Sequence, residues 1–163
     1  MRDITNHMLV IKDIFDLFHT IGPQIHSKNE SSSTQIVKDS FTILGSEYGF
    51  ITRPNKEQPE YLFDLCWYNI STNLIKSINE VSLIIESEWK KEFYQIQYDF
   101  EKLLIANVKY KIMVFQTDEV FENTTSKLKQ IISAFKSPDT STYIFAGFIN
   151  SLGIFQIEEY KKT

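Results

Sequence analysis

Apolar residues recur at three- and four-residue steps through the opening segment. Met8, Ile11, Ile14, Phe15 and Phe18 predict an amphipathic helix, which Gly22-Pro23 should end. The polar run SKNESSSTQ then reads as a serine-rich loop able to supply a helix N-cap. A second helix carries Ile36, Val37, Phe41, Leu44 and Tyr48 on its stripe, and the pattern loosens between Gly45 and Gly49. A short extended piece at Phe50 and Ile51 meets Pro54, which has no N–H to donate and blocks further pairing.

The period then shortens. Tyr61 to Tyr68 has the aromatic and apolar density of a buried strand, and Val81 to Trp89 predicts a second. A helix follows from about Glu92 to Ala106, with Phe93, Ile96, Phe100, Leu103 and Leu104 on its core stripe. Lys109 to Phe115 is short and β-prone, a further strand. Thr117 or Asp118 can cap a helix carrying Phe121, Leu128, Ile131, Ile132 and Phe135. Thr142 to Ile149 and Ile154 to Ile157 predict a closing hairpin around Asn150 to Gly153. Strand–helix–strand alternation in the second half implies a right-handed crossover and a mixed sheet covered by helices, an α/β protein.

Composition narrows the class. A chain of 163 residues is most simply one domain, spanning 1–163, and no internal repeat divides it. Apolar residues at 42% and aromatics at 14% exclude a disordered chain. The net charge of −4 excludes a bulk polycation that binds nucleic acid by charge alone. Cys66 is the single cysteine, so neither a disulfide framework nor a cysteine-based zinc site is available. The N-terminus lacks the clean apolar stretch of a signal peptide, and no apolar run reaches the roughly 18 residues of a membrane span. The expectation is a soluble cytoplasmic protein with no membrane contact.

Against this background the acids between residues 64 and 88 stand out. Asp64 lies in EYLFDLCWY, and Glu86 and Glu88 lie in VSLIIESEW. A buried-looking strand does not accept carboxylates freely, because an unpaired buried charge costs several kcal/mol or forces the group neutral. Strand alternation puts Glu86 and Glu88 on one face, with Ser87 on the other. Asp64 shares a face with Leu62 and Cys66, so it can converge with the glutamates if the two strands are neighbours. A hard divalent cation, Mg²⁺ or Mn²⁺, would offset three carboxylates gathered there. The alternative is that Glu86 marks the end of its strand and ESEWKK emerges into solvent.

The order helix–strand–strand–strand–helix–strand, with an acid on one strand and an acid-x-residue pair on the next, resembles the restriction-endonuclease-like, or PD-(D/E)XK, nuclease superfamily. The resemblance covers about residues 36–149, leaving the N-terminal helix and C-terminal hairpin as additions. It implies a three-layer α/β/α fold around a central mixed sheet. It also implies that Asp64 and Glu86 hold the metal and that nucleic acid, DNA in the first place, is the substrate. The chain departs from the family at Glu88, where lysine is usual. Lys102, in DFEKLL of the following helix, matches members in which that lysine has migrated; its alternative is a plain surface lysine paired with Asp99. Glu88 would then bind a second metal or orient the attacking water, and Lys102 would stabilise charge on the phosphate. Glu47 is a further outer acid on this reading, with a solvated glutamate as its alternative.

Two other classes stay open. The replacement of lysine by Glu88 and the negative charge suit a catalytically inactive binding or assembly module of the same fold. An acidic immunity- or inhibitor-type interaction protein would instead carry its acids exposed. No separate DNA-reading segment is visible, so a nuclease would rely on a homodimer, a partner subunit or little sequence preference. His7, His19 and His26 lie apart from the acids in sequence, Cys66 reads as a small buried residue, and Trp67, Tyr68 and Trp89 read as core. Lys90 and Lys91 follow the glutamates and could touch phosphates, or belong with Lys127, Lys129 and Lys136 to a solvated face.

Overall fold

The computed structural model describes residues 2–54, 60–72, 74–117 and 120–162. Helix α1 spans His7–Ile25, α2 Glu30–Glu47, α3 Phe93–Leu104 and α4 Phe121–Ala134. The strands are β1 Ile51–Arg53, β2 Leu65–Ile70, β3 Ile78–Glu88, β4 Tyr110–Gln116, β5 Thr142–Ile149 and β6 Ile154–Lys161. They form one mixed sheet in the order β1-β2-β3-β4-β5-β6. β3, β4 and β5 run parallel, while the β1–β2, β2–β3 and β5–β6 pairs are antiparallel.

Helices cover both faces of the sheet. Val10, Ile14 and Phe18 of α1 and Val37 and Phe41 of α2 pack on the face formed by Leu65, Trp67, Leu83, Ile85, Ile112 and Ile144. Ile96, Phe100 and Leu103 of α3 and Leu128 and Ile132 of α4 pack on the opposite face, over Cys66, Ile84, Met113 and Phe145. Odd and even positions of β2 and β3 thus serve separate cores, as pleat alternation requires. Each fully buried Leu, Ile or Phe contributes roughly 1.5–3 kcal/mol to holding the layers together. The architecture is α/β with a six-stranded mixed open sheet. Among the described residues no helix is long and apolar enough to cross a membrane.

Several boundaries differ from the sequence expectation, each for a physical reason. Helix α1 continues through Gly22-Pro23 to Ile25. Pro23 sits in the last turn, where the one hydrogen bond it forfeits is to the carbonyl of exposed His19. Burial of Ile21 and Ile25 offsets that loss. Gly22 is needed there, since a Cβ would lie 3.0 Å from the Gly153 carbonyl oxygen in the β5–β6 turn. The serine run is helix rather than loop: Asn29 caps α2 by accepting from the Ser32 N–H at 2.8 Å. Met8 is exposed at 77%, and Val10 takes its place on the buried stripe.

Strand β2 begins later than expected, at Leu65, leaving Tyr61 and Leu62 exposed. Helix α4 begins at Phe121 with Val120 at the cap position and no side-chain cap bond. Thr117 therefore does not cap it, and Asp118 lies outside the described residues.

Candidate functional site

Strand β3 is longer than its neighbour β2, and the mismatch builds the site. The β2–β3 ladder ends at the Leu65↔Ile85 pair, whereas β3 continues beside β4 through Glu86↔Met113 to Glu88↔Phe115. The carboxyl end of β3 therefore has one flank without a strand partner. Ligands in open α/β sheets gather outside such carboxyl ends.

Asp64, the residue before β2, fills that flank. Its Oδ2 accepts from the Ser87 N–H at 2.8 Å and from the Ser87 hydroxyl at 2.6 Å. A backbone donor that lost its strand partner is satisfied by a carboxylate instead. Asp64 Oδ1 lies 3.8 Å from the Lys38 ammonium of α2. The expected convergence of Asp64 with the face of Glu86 and Glu88 is thus only partial. Asp64 hydrogen-bonds to Ser87, whose hydroxyl lies 3.4 Å from Thr34 Oγ1 of α2.

Glu86 points to the other face, toward α3, and its side chain is only 3% exposed. Oε2 accepts from the Lys102 ammonium at 2.9 Å. Oε1 has no hydrogen-bond partner, the one buried side-chain polar atom of which this is true among the described residues. Burial pushes the Glu86 carboxyl up to about 8; the Lys102 hydrogen bond opposes the rise, and the charges of Asp64 and Asp99 add to it.

Lys102 is placed by helical periodicity. Three positions after Asp99 and one before core residue Leu103, it reaches along the sheet to meet Asp99 Oδ1 at 2.7 Å as well as Glu86. Burial lowers the affinity of the ammonium for its proton, but the hydrogen bonds to Asp99 and Glu86 outweigh it, and the group is held above the ordinary lysine range. Glu88 is half-buried, and its Oε1 accepts from the Lys90 N–H at 2.8 Å. Burial and then Asp99 push its carboxyl up, against the opposing backbone bond from Lys90.

Four carboxylates and one lysine from β3, α3 and the residue before β2 therefore share one electrostatic neighbourhood. The chain matches no known family model, and no curated protein is significantly similar to it.

The fit of a divalent cation follows from the donor set. Among the described residues, no group of three or more His, Cys, Asp or Glu side chains is assembled to hold a metal ion. Mg²⁺ does not require one, since it is commonly held by one or two carboxylates and keeps several waters. The unpartnered Glu86 oxygen is a hard donor of that kind, so Glu86 fits such an ion, and Asp64 is an acid whose charge reaches it.

Asp99 was the residue missed as a site member. Its signal is the Asp-x-x-Lys spacing of Asp99 and Lys102 in DFEKLL, which puts the two on one helical face. Glu47 lies elsewhere, at the far end of α2, paired with Arg2 at 2.8 Å in a groove with Asp13 and Asp16. It belongs to no common cluster with Glu86. His7 is likewise remote: its Nε2 meets Glu159 at 2.8 Å and its Nδ1 lies 3.3 Å from the Tyr110 hydroxyl. Cys66, Trp67 and Trp89 are buried core residues, the indole of Trp67 donating to the Phe41 carbonyl at 2.9 Å.

Proposed function

We propose that this protein is a divalent-metal-dependent nuclease-like protein that hydrolyses phosphodiester bonds of nucleic acid. The observation that carries the reading is the buried Glu86 carboxylate, with one oxygen on Lys102 and the other without a partner. A core acid retained with an open oxygen at a strand's carboxyl end has a ligand-binding rationale and no packing rationale. The resemblance of the Asp64, Glu86 and Lys102 pattern to restriction-endonuclease-like nucleases supports the same reading.

Mg²⁺ or Mn²⁺ held by Glu86 and Asp64 would supply Lewis-acid activation of a phosphate and of water. Lys102, already charged and pinned by Asp99, is suited to stabilise negative charge developing on phosphate oxygens. Glu88, with its carboxyl raised by burial and by Asp99, is suited to accept a proton from an attacking water. Ser87 and Lys38 hold Asp64 in place.

A second reading is favoured by one observation. With no three-donor group assembled among the described residues, the fold suits a non-catalytic binding or assembly module in which Lys102 neutralises Glu86. The two readings separate in one experiment. Mn²⁺ and Mg²⁺ are titrated calorimetrically into the protein and its Glu86→Ala variant, followed by cleavage assays on labelled DNA and RNA strands. The nuclease reading expects saturable binding and metal-dependent cleavage, both lost in the variant. No cleavage of any strand by the wild-type protein in either metal would remove it.

A further inference from the structure

We infer that the cleft beside the carboxyl ends of β3 and β4 is a phosphate-binding subsite, in which Lys28, Lys90 and Lys91 seat a nucleic-acid strand next to Glu86 and Glu88. The inference rests on the nuclease-type reading above and adds which residues hold the strand. The cleft encloses about 470 Å³, within the roughly 300–1,000 Å³ of small-ligand clefts. Lys28 comes from the turn between α1 and α2, whereas Lys90 and Lys91 come from the segment joining β3 to α3. Stretches some sixty residues apart in sequence thus bring three lysines to one cleft. All three lysines are exposed, and neither Lys28 nor Lys90 forms an ion pair with a described residue.

The cleft is linked to the acidic site through Lys90. The Lys90 N–H donates to Glu88 Oε1, so the lysine segment is tied to the glutamate at the end of β3. Between them Trp89 lines the cleft, its indole N–H held by Thr34 Oγ1 of α2 at 2.9 Å. Gln116, the last residue of β4, adds an amide on the floor.

Charge decides what such a cleft takes. Glu30 and Glu92 also line it, and Lys28 and Lys90, which form no ion pair with a described residue, are the ammonium groups left to meet an anion there. Glu30 is accounted for without a ligand, since it stands in the first turn of α2, where a negative charge complements the helix dipole. A polyanion approaching Glu88, Asp64 and Asp99 alone would be repelled. One phosphate seated on Lys28 and Lys90 offsets that repulsion and leaves its neighbour along the strand facing the acids. Recognition is of the phosphodiester backbone, common to DNA and RNA.

The test uses short fluorescein-labelled DNA and RNA strands of one sequence, with the full-length protein in EDTA so that no metal is needed. Binding is followed by anisotropy across a salt series for the wild type, a Lys28→Ala/Lys90→Ala/Lys91→Ala variant and a Lys76→Ala/Lys136→Ala control. Each phosphate contact contributes about 0.7 to the slope of log K against log salt for single strands. The triple variant should lose tenfold or more in affinity and flatten that slope by at least one contact, while the control matches the wild type. An unchanged slope in the triple variant, an equal loss in the control, or no binding by the wild type each overturns the subsite. Its fate is separable from that of the nuclease reading. Lysine-dependent binding without metal-dependent cleavage removes the reaction and leaves the subsite. Cleavage that the triple variant retains, at unchanged affinity, removes the subsite and leaves the reaction.

Discussion

The Lys102 ammonium on α3 meets Glu86 Oε2 on β3 at 2.9 Å, while the second oxygen of the same carboxylate has no partner. Half of this buried acid is paired and half is open. Most of the behaviour expected of the protein follows from that asymmetry.

The first consequence concerns pH. The Glu86 carboxyl is raised from an ordinary 4.5 to about 8, chiefly by burial, so the folded chain holds a proton there that the unfolded chain has released. Stability from this group is full below about 4.5 and is lost as pH rises through 8. Glu86→Gln removes the titration. Urea unfolding should show the variant gaining on the wild type by ~1–3 kcal/mol between pH 5 and pH 9. A pH-independent difference between the two would show that Glu86 does not titrate in this range.

Cation binding inherits the same proton. A metal taking the open Glu86 oxygen displaces it, so apparent Mn²⁺ affinity should rise from pH 6 to pH 8 by up to tenfold per unit and then level off. Calorimetry in buffers of different ionisation enthalpy would report the released proton. Flat affinity across that range would mean that the ion binds without Glu86.

Removing Lys102 tests the pair from the other side. Lys102→Met takes away the donor on Glu86 and one partner of Asp99, and should cost about 1–3 kcal/mol at pH 7. The loss should be larger at pH 9, where wild-type Glu86 is ionised beside the ammonium and the variant's carboxyl has no cation to meet. Equal loss at both pH values would assign Lys102 to packing of its stem alone.

A second buried polar cluster lies at the opposite end of the sheet and should act purely on stability. Lys111 is 1% exposed, and its ammonium meets Asp139 Oδ2 at 2.8 Å and the Tyr143 hydroxyl at 3.1 Å. Tyr143 and Ser141 also donate to Asp139. Burial would raise the Asp139 carboxyl, but the donors from Lys111, Ser141 and Tyr143 outweigh it and hold it at about 2. Lys111 moves the opposite way from most paired lysines: burial lowers it more than Asp139 raises it. Its pairing therefore shows mainly on the acid side. About 2 kcal/mol present above pH 4 should be lost as pH falls through 2. Lys111→Met leaves a buried carboxylate uncompensated and should cost about 3–5 kcal/mol in chemical unfolding at pH 7. A loss under 1 kcal/mol would mean that Asp139 escapes to solvent.

Close packing behind the sheet gives a further check. A Cβ on Gly45 of α2 would lie 2.7 Å from Trp67 Nε1, on an indole that is fully buried and bonded to the Phe41 carbonyl. Gly45→Ala should therefore destabilise by about 1–3 kcal/mol, despite the better helix propensity of alanine. Red-shifted tryptophan emission would accompany the displaced ring, and a neutral variant would show that α2 can shift freely.

What the sequence determined by itself is the set of periods. Three- and four-residue spacing marked all four helices, as in Ile96, Phe100 and Leu103 of α3. Dense apolar runs marked the inner strands, because a residue's face within one element depends only on local geometry. Alternation alone put Glu86 and Glu88 on one face with Ser87 on the other, and helical spacing alone put Lys102 beside Asp99. Tertiary structure decided whatever depends on contacts between distant segments. It carried α1 past Pro23, because Ile21 and Ile25 are buried there, and turned the serine run after Asn29 into helix. It drew Asp64 to the unpaired Ser87 N–H, because β2 stops one residue short of Glu86. It also paired Glu47 with Arg2 away from Glu86, brought Lys102 onto Glu86 across two layers, and set Lys28 and Lys90 on one cleft. Strand length mismatch and helix docking are sums over many long-range contacts, and no local pattern contains them.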